Sequence, residues 1–418
     1  MSYDSAAVSG ERAGPPGETI DDDWCRNQFD HLSQELVDNL YPALTRMRSL
    51  CPVTHSGQYG GYWVVTRYDH VLRVAQEWET FSSAFGLTVP PSPIATRNLP
   101  VEIDPPLQRE FKRLINAYFT PKAVLPWEPR TRALVNRLID GFVERGECDF
   151  MAEFARPYPA LSFFDVAIGA PADQIERVAY LASKSGAPKD PDAAACWRGL
   201  SEWINGFLDQ RRREPPRGDV VDAVLNAEIQ GRPITHEEII GTVQLLILGG
   251  LETTAGALGQ IMLRFCRQPE IPAALRANPD LLPQAVEELL RLDGPFVQIT
   301  RTAMHDTEID GHQIRQGEKV IIYWASANRD EDEFPASDKF DLDRKINRHM
   351  AFGVGPHRCV GSNLARMNLR IALEELLSRL HDLRLQDGAE IHFHPTVNRA
   401  PVAVPVTFVP GPRLGAHG

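Results

Sequence analysis

Ala351-Phe352-Gly353-Val354-Gly355-Pro356-His357-Arg358-Cys359-Val360-Gly361 runs straight into a strongly helical pattern over residues 363–380. A cysteine just before a helix N-terminus sits in a positive field, which favours thiolate over thiol. Gly353, Gly355 and Gly361 let backbone amides approach the sulfur and donate to a charged ligand atom. Phe352 can shield such a site from water, and His357 and Arg358 can reach an anionic group on a ligand. The other five cysteines (Cys25, Cys51, Cys148, Cys196 and Cys266) form no C-x-x-C pair and read as small buried hydrophobes. Only Cys359 has a loop built around it.

The bulk composition is that of a globular enzyme. Of 418 residues 43% are hydrophobic and 24% charged, enough for a large core without disulfide staples. A net charge of −12 argues against a nucleic-acid backbone or an anionic membrane as main partner. Residues 1–24 are polar, lack a signal-peptide core and are expected to form a flexible tail before a single domain over 25–418. The longest apolar stretch, residues 243–251, is about half the ~20 needed to cross a bilayer. A soluble, cytoplasmic protein with reduced thiols is therefore expected.

Local patterns give the outline of a fold. Aromatic and β-branched runs predict strands at 62–66 and 319–323, and a proline-bearing run at 401–408 predicts an edge strand. Helical patterns dominate from about 107 to 292, broken at 90–106, 186–191 and 214–218. The first break holds six prolines and is either a lid over a site or a long connection. Thr235-His236-Glu237-Glu238 reads as a capping box opening a helix of roughly 50 Å that Pro269 stops. In its middle, Gly249 and Gly250 each sacrifice about 1 kcal/mol of helix propensity. Either another helix packs closely there, or the backbone must approach or bend around something bulky.

The cysteine loop, through Phe352, Gly355, Arg358, Cys359 and Gly361, resembles the cysteine-ligand loop of the cytochrome P450 family. Other motifs of that family follow in the right order. Gly249, Gly250, Glu252 and Thr253 are similar to its oxygen-binding helix, and Glu288-Leu289-Leu290-Arg291 to its buried Glu-x-x-Arg pair. Arg301 stands where members place an arginine on a haem propionate. The stretch from Asp104 to Arg113 resembles the entrance of a haem-contacting helix. Gln108 there is closer to the camphor-hydroxylating branch than to members with histidine, and Lys112 replaces arginine. The third member of the Glu288–Arg291 network is either Lys339 or Arg344. The resemblance covers roughly residues 25–410.

That resemblance implies a mainly α fold with small β-sheets, the haem lying between a long central helix and the cysteine loop. The cofactor implied is haem b (iron protoporphyrin IX), with Cys359 as axial ligand of the iron. Gln108, Lys112, Gly249, Gly250, Arg301, Phe352, His357 and Gly361 are implied as haem-binding, with Glu288, Arg291 and Arg344 as structural support. The reaction implied is monooxygenation: hydroxylation, O-dealkylation or epoxidation of a small hydrophobic terpenoid or aromatic compound. Thr253 and Glu252 are its implied proton-delivery pair. Pocket walls are placed at Phe85, Leu87, Val89, Leu245, Leu248, Phe296, Val297 and Val397. With no fused flavin or iron–sulfur domain expected, electrons are assigned to a separate ferredoxin and its NAD(P)H-dependent reductase. The docking face assigned is Arg109, Lys112 and Arg113 of a monomeric enzyme. Rival readings are an H₂O₂-driven peroxygenase, for which the Glu252–Thr253 pair is needless, and a non-catalytic haem-thiolate sensor. A Cys359 hydrolase nucleophile is disfavoured by the placement of His357.

Overall fold

Short runs of β-branched and aromatic residues make β1 (Val53–Ser56) and β2 (Tyr62–Val65). The turn between them places Gly60 and Gly61 at φ of +90° and +96°, open to glycine without strain. β3 (Phe81–Ser82) and β4 (Glu147–Asp149) follow, and β5 (Gln298–Ala303), β6 (Lys319–Tyr323), β7 (His381–Leu385) and β8 (Pro405–Val409) come after the helical middle of the chain. Helices that position the site are α1 (Tyr68–Gln76), α2 (Leu107–Asn116), α3 (Ile175–Ser185), α4 (Ala193–Arg213), α5 (His236–Arg267), α6 (Leu282–Asp293) and α7 (Ser362–Arg379). The computed structural model describes residues 20–92, 96–185 and 191–415, without the side chains of Val166 and Ala172.

The larger sheet has the order β1-β2-β6-β5-β3, with only the β2–β6 pair parallel. The expected strands at 62–66 and 319–323 are thus neighbours in it. The smaller sheet runs β7-β8-β4. β8 is its centre, not the edge that its prolines predict. Pro401 lies before the strand and Pro405 is its first residue, so the missing N–H falls where no ladder bond is lost.

α5 is the axis of the main core. The capping box forms as expected: Thr235 Oγ1 accepts from Glu238 N at 3.3 Å, and the Glu238 carboxylate accepts from Thr235 N at 2.8 Å. The helix then runs 32 residues before Gln268 caps it ahead of Pro269. Val243, Ile247, Leu251, Leu258 and Met262 are buried along it, each contributing about 1.5–3 kcal/mol of hydrophobic stabilisation. By length and composition alone this helix could cross a membrane, yet most of it is buried inside the protein. A second cluster forms on one side of the larger sheet, where Trp24, Phe29, Tyr62 and Tyr323 meet. Ile20 and Trp24 belong to it, so the packed chain already includes residues assigned to the tail. Residues 1–19, Pro93 and residues 186–190 of the second proline break lie outside the described residues.

The capping box carries two stability predictions. Thr235→Ala should cost about 1 kcal/mol. The Glu238 carboxyl is held down to about 2, chiefly by Arg232, against the upward push of burial. A depressed carboxyl stabilises above its unfolded value and loses that contribution as pH falls through the folded value. Urea melts of the wild type should therefore exceed Glu238→Gln at neutral pH, the gap closing between about pH 4.5 and 2. A gap that does not change with pH would remove Glu238 from the cap.

Candidate functional site

The cysteine loop is seated on one helix and leads into another. Gly353 N donates to Met350 O at 2.8 Å, Arg358 N to Gly355 O at 3.2 Å and Cys359 N to Phe352 O at 2.8 Å. Gly355 takes φ +69°, and a Cβ there would press on Ala75 O at 3.0 Å and Gln76 Cα at 3.3 Å, at the end of α1. Only glycine fits both constraints. Gly361 then caps α7.

Cys359 is the only exposed cysteine among those described, yet protein crowds its sulfur enough that burial dominates the thiol. Burial raises its pKa, and the Gly361 amide with the cations of Lys112, Arg358 and Arg366 only partly offsets this. The amide and the cations are in place to stabilise a sulfur anion, which metal coordination would favour further.

Beside the sulfur, three elements bring basic side chains together with few partners. From α2, Gln108 Nε2 and Lys112 Nζ both donate to Pro356 O, at 2.8 and 2.5 Å. From β5, Arg301 is buried and donates to Thr300 O at 3.0 Å; burial pushes it down to about 10. His357 is held at about 3, by burial first and then by Arg301 and Lys112. Its Nε2 has no hydrogen-bond partner among the described residues, nor has Gln108 Oε1. One carboxylate, Asp104, approaches His357 Nε2 at 4.0 Å, and it already accepts from Ser82 Oγ and, at 2.9 Å, from Ser83 N. Buried cations without counter-charge are costly. This donor set fits a ligand edge bearing carboxylates, as the propionates of haem do. Arg358, in contrast, is exposed, so His357 is the inward member of the basic pair.

On α5 the two glycines serve different ends. A Cβ at Gly250 would lie 2.8 Å from Phe163 Cγ, so this one is required by packing. At Gly249 a Cβ would meet nothing within 4 Å, so the helix leaves open space there. Thr253 Oγ1 donates to Gly249 O at 3.0 Å, bonding back to its own helix. Glu252 is half-buried; burial raises its carboxyl while a hydrogen bond from Ser183 on α3 and the charge of Arg156 oppose this.

The candidate pocket walls divide. Leu87, Leu245, Leu248, Phe296 and Val397 are half-buried, and Phe85 is exposed. Val89 and Val297 are buried in the second core cluster with Tyr62 and Ile321.

Behind the loop stands α6. Glu288 and Arg291 pair through two bonds of 2.8 Å, both fully buried. The third member is Arg344, whose Nε lies 3.2 Å from both Glu288 oxygens; Lys339 gives only its carbonyl, to Arg291 Nη2 at 3.2 Å. Sequence reasoning missed the neighbouring Glu287, which holds Arg366 and His349, and the carboxylate of Asp104 among the cations. Neither has a spacing that separates it from a surface acid.

Residues 187–393 match the family description Cytochrome P450. A steroid C26-monooxygenase of Mycolicibacterium smegmatis (strain ATCC 700084 / mc(2)155) is 34% identical over 360 residues, 84% of this chain and 88% of that protein. A linalool 8-monooxygenase of Pseudomonas putida is 30% identical over 367 residues, 78% of this chain and 84% of the relative. The crystal structure of cytochrome P450 CYP101C1 superposes with a TM-score of 0.84 at 28% identity, covering 91% of this chain and 96% of that one. With identity sustained across most of both chains and the same fold beneath it, this protein belongs to the cytochrome P450 family of haem-iron monooxygenases.

Proposed function

We propose that this monooxygenase binds haem b with Cys359 on the iron and with Arg301, His357, Lys112 and Gln108 around its propionates. The observation that carries this reading is the set of basic side chains converging beside Cys359, with Asp104 as their only close carboxylate among the described residues. When bound, the haem supplies activation of O₂ by two electrons, one oxygen atom entering the substrate and the other leaving as water.

The chain's own residues provide the proton path and the pocket. Thr253 can exchange its bond to Gly249 O for a water, because the space beside Gly249 is open. A carboxyl raised by burial, as Glu252 is, readily passes a proton on and takes one back. Leu245, Leu248, Leu87, Phe296 and Val397 exclude water and suit a small hydrophobic substrate. A terpenoid or aromatic skeleton fits that lining, in keeping with relatives named for a steroid and for linalool. Electrons come from a separate ferredoxin, reduced by an NAD(P)H-dependent reductase and docking near Arg109, Lys112 and Arg113, to a monomeric enzyme in the cytoplasm. Among the described residues no group of three or more His, Cys, Asp or Glu is placed to hold a further metal ion.

Cys359→Ser should abolish the carbon-monoxide absorption band that gives the family its name while leaving the helical circular dichroism in place. An unchanged band would falsify the axial assignment. Thr253→Ala should divert electrons to peroxide, so that product formed per NAD(P)H falls several-fold; coupling equal to wild type would exclude Thr253 from proton delivery. Arg301→Met should act with opposite sign on the two forms of the protein. Removing a buried cation stabilises the apoprotein, whereas losing a charged hydrogen bond lowers haem affinity roughly 10–100-fold. Urea melts of the apoprotein and haem transfer to apomyoglobin read the two separately, and equal haem retention would remove Arg301 from the site.

A further inference from the structure

α6 carries two adjacent acids, and only Glu288 has a place in the network already described. Glu287 accepts from Arg366 Nε at 2.6 Å and from Arg366 Nη2 at 2.7 Å, a bidentate pair between α6 and α7. His349 Nε2 lies 3.0 Å from the same carboxylate, and His349 Nδ1 accepts from Ala351 N at 3.2 Å. Glu287 and Arg366 are each about 30% exposed, while the His349 side chain between the cysteine loop and Glu287 is buried. Against the upward push of burial, Arg366 and His349 hold the Glu287 carboxyl down to about 2, and it stays ionised at any working pH.

The other face of the Arg366 guanidinium is used as well. Its Cζ stands 4.4 Å from the centre of the Phe352 ring, within cation–π range. Phe352 is also the residue whose carbonyl accepts the Cys359 amide at 2.8 Å. Arg366 is one of three cations whose charge reaches the Cys359 sulfur, with Lys112 and Arg358. A continuous path therefore runs from Glu287 through Arg366 and Phe352 to the backbone of Cys359.

We propose that Glu287 and Arg366 are positioning residues that clamp the cysteine loop through Phe352 and set the electrostatic field at the Cys359 sulfur. This rests on the haem-thiolate reading above. A positive charge near the sulfur favours the more negative, reduced state of the centre, and a negative charge disfavours it. The two partners thus act on the same loop with opposite charge. Neutralising Glu287 leaves the Arg366 cation uncompensated; neutralising Arg366 leaves the Glu287 anion.

The experiment is a spectroelectrochemical titration of the ferric/ferrous couple in the holoenzyme at fixed ionic strength. Glu287→Gln should shift the midpoint upward and Arg366→Gln downward, with the double variant returning close to wild type. Arg366→Lys keeps the charge and loses the planar fork. It should keep a near-native midpoint, and it serves where Arg366→Gln fails to retain haem. A purely structural clamp loosens the loop the same way whichever partner is lost, so shifts of one sign, or none, would sink the proposal. A wild-type protein without the thiolate carbon-monoxide band would instead sink the haem-thiolate reading beneath it.

Discussion

A single carboxylate organises the side of the molecule that carries the cysteine. Glu288, buried on α6, receives Arg291, Arg344, Asn347 Nδ2 at 3.1 Å and the Asp341 amide at 3.1 Å. Arg291 in turn donates to the carbonyls of Asn328 and Ser337, at 2.8 and 2.6 Å. The segment before the cysteine loop has little regular secondary structure of its own, so its path is dictated by these polar anchors. A buried ion pair contributes little net stability compared with an apolar substitute, but removing one partner strands the other at about 3–5 kcal/mol. The network specifies one conformation rather than adding stability to many.

The electrostatics of the site run against those of the whole chain. A molecule of net charge −12 concentrates cations in one recess and, among the described residues, leaves them a single close acid, Asp104. Folding tolerates this because each cation keeps one local acceptor: Pro356 O for Lys112, Thr300 O for Arg301. The acceptors are neutral carbonyls, which satisfy hydrogen bonds without cancelling charge. That residual charge is the property the site offers to an anionic ligand edge.

Much of this was readable along the chain because it rests on local rules. The capping box at Thr235 and the strands at 62–65 and 319–323 depend on residues a few positions apart, whereas the burial of the Glu288–Arg291 pair is legible only through the family resemblance. The open alternatives needed three dimensions. Gly249 and Gly250 look alike in sequence, yet one faces open space and the other Phe163. Arg344 rather than Lys339 reaches Glu288 because its side chain points inward, a matter of loop geometry. Ile20 and Trp24, assigned to the tail, join a cluster assembled from distant segments, which no window of sequence contains.

The arrangement around Pro356 also makes the recess a discriminating one. Gln108, Lys112, Arg301 and His357 approach from a helix, a strand and a loop, Gln108 and Lys112 held on Pro356 O and Arg301 buried. A flat aromatic guest of the same bulk whose acidic side chains are esterified or absent would leave the Lys112 and Arg301 cations without a counter-charge. Selectivity is a difference between affinities, and a site with unpaired charge widens that difference by penalising the wrong guest. By that argument the recess favours a guest with an acidic edge over uncharged look-alikes of the same shape.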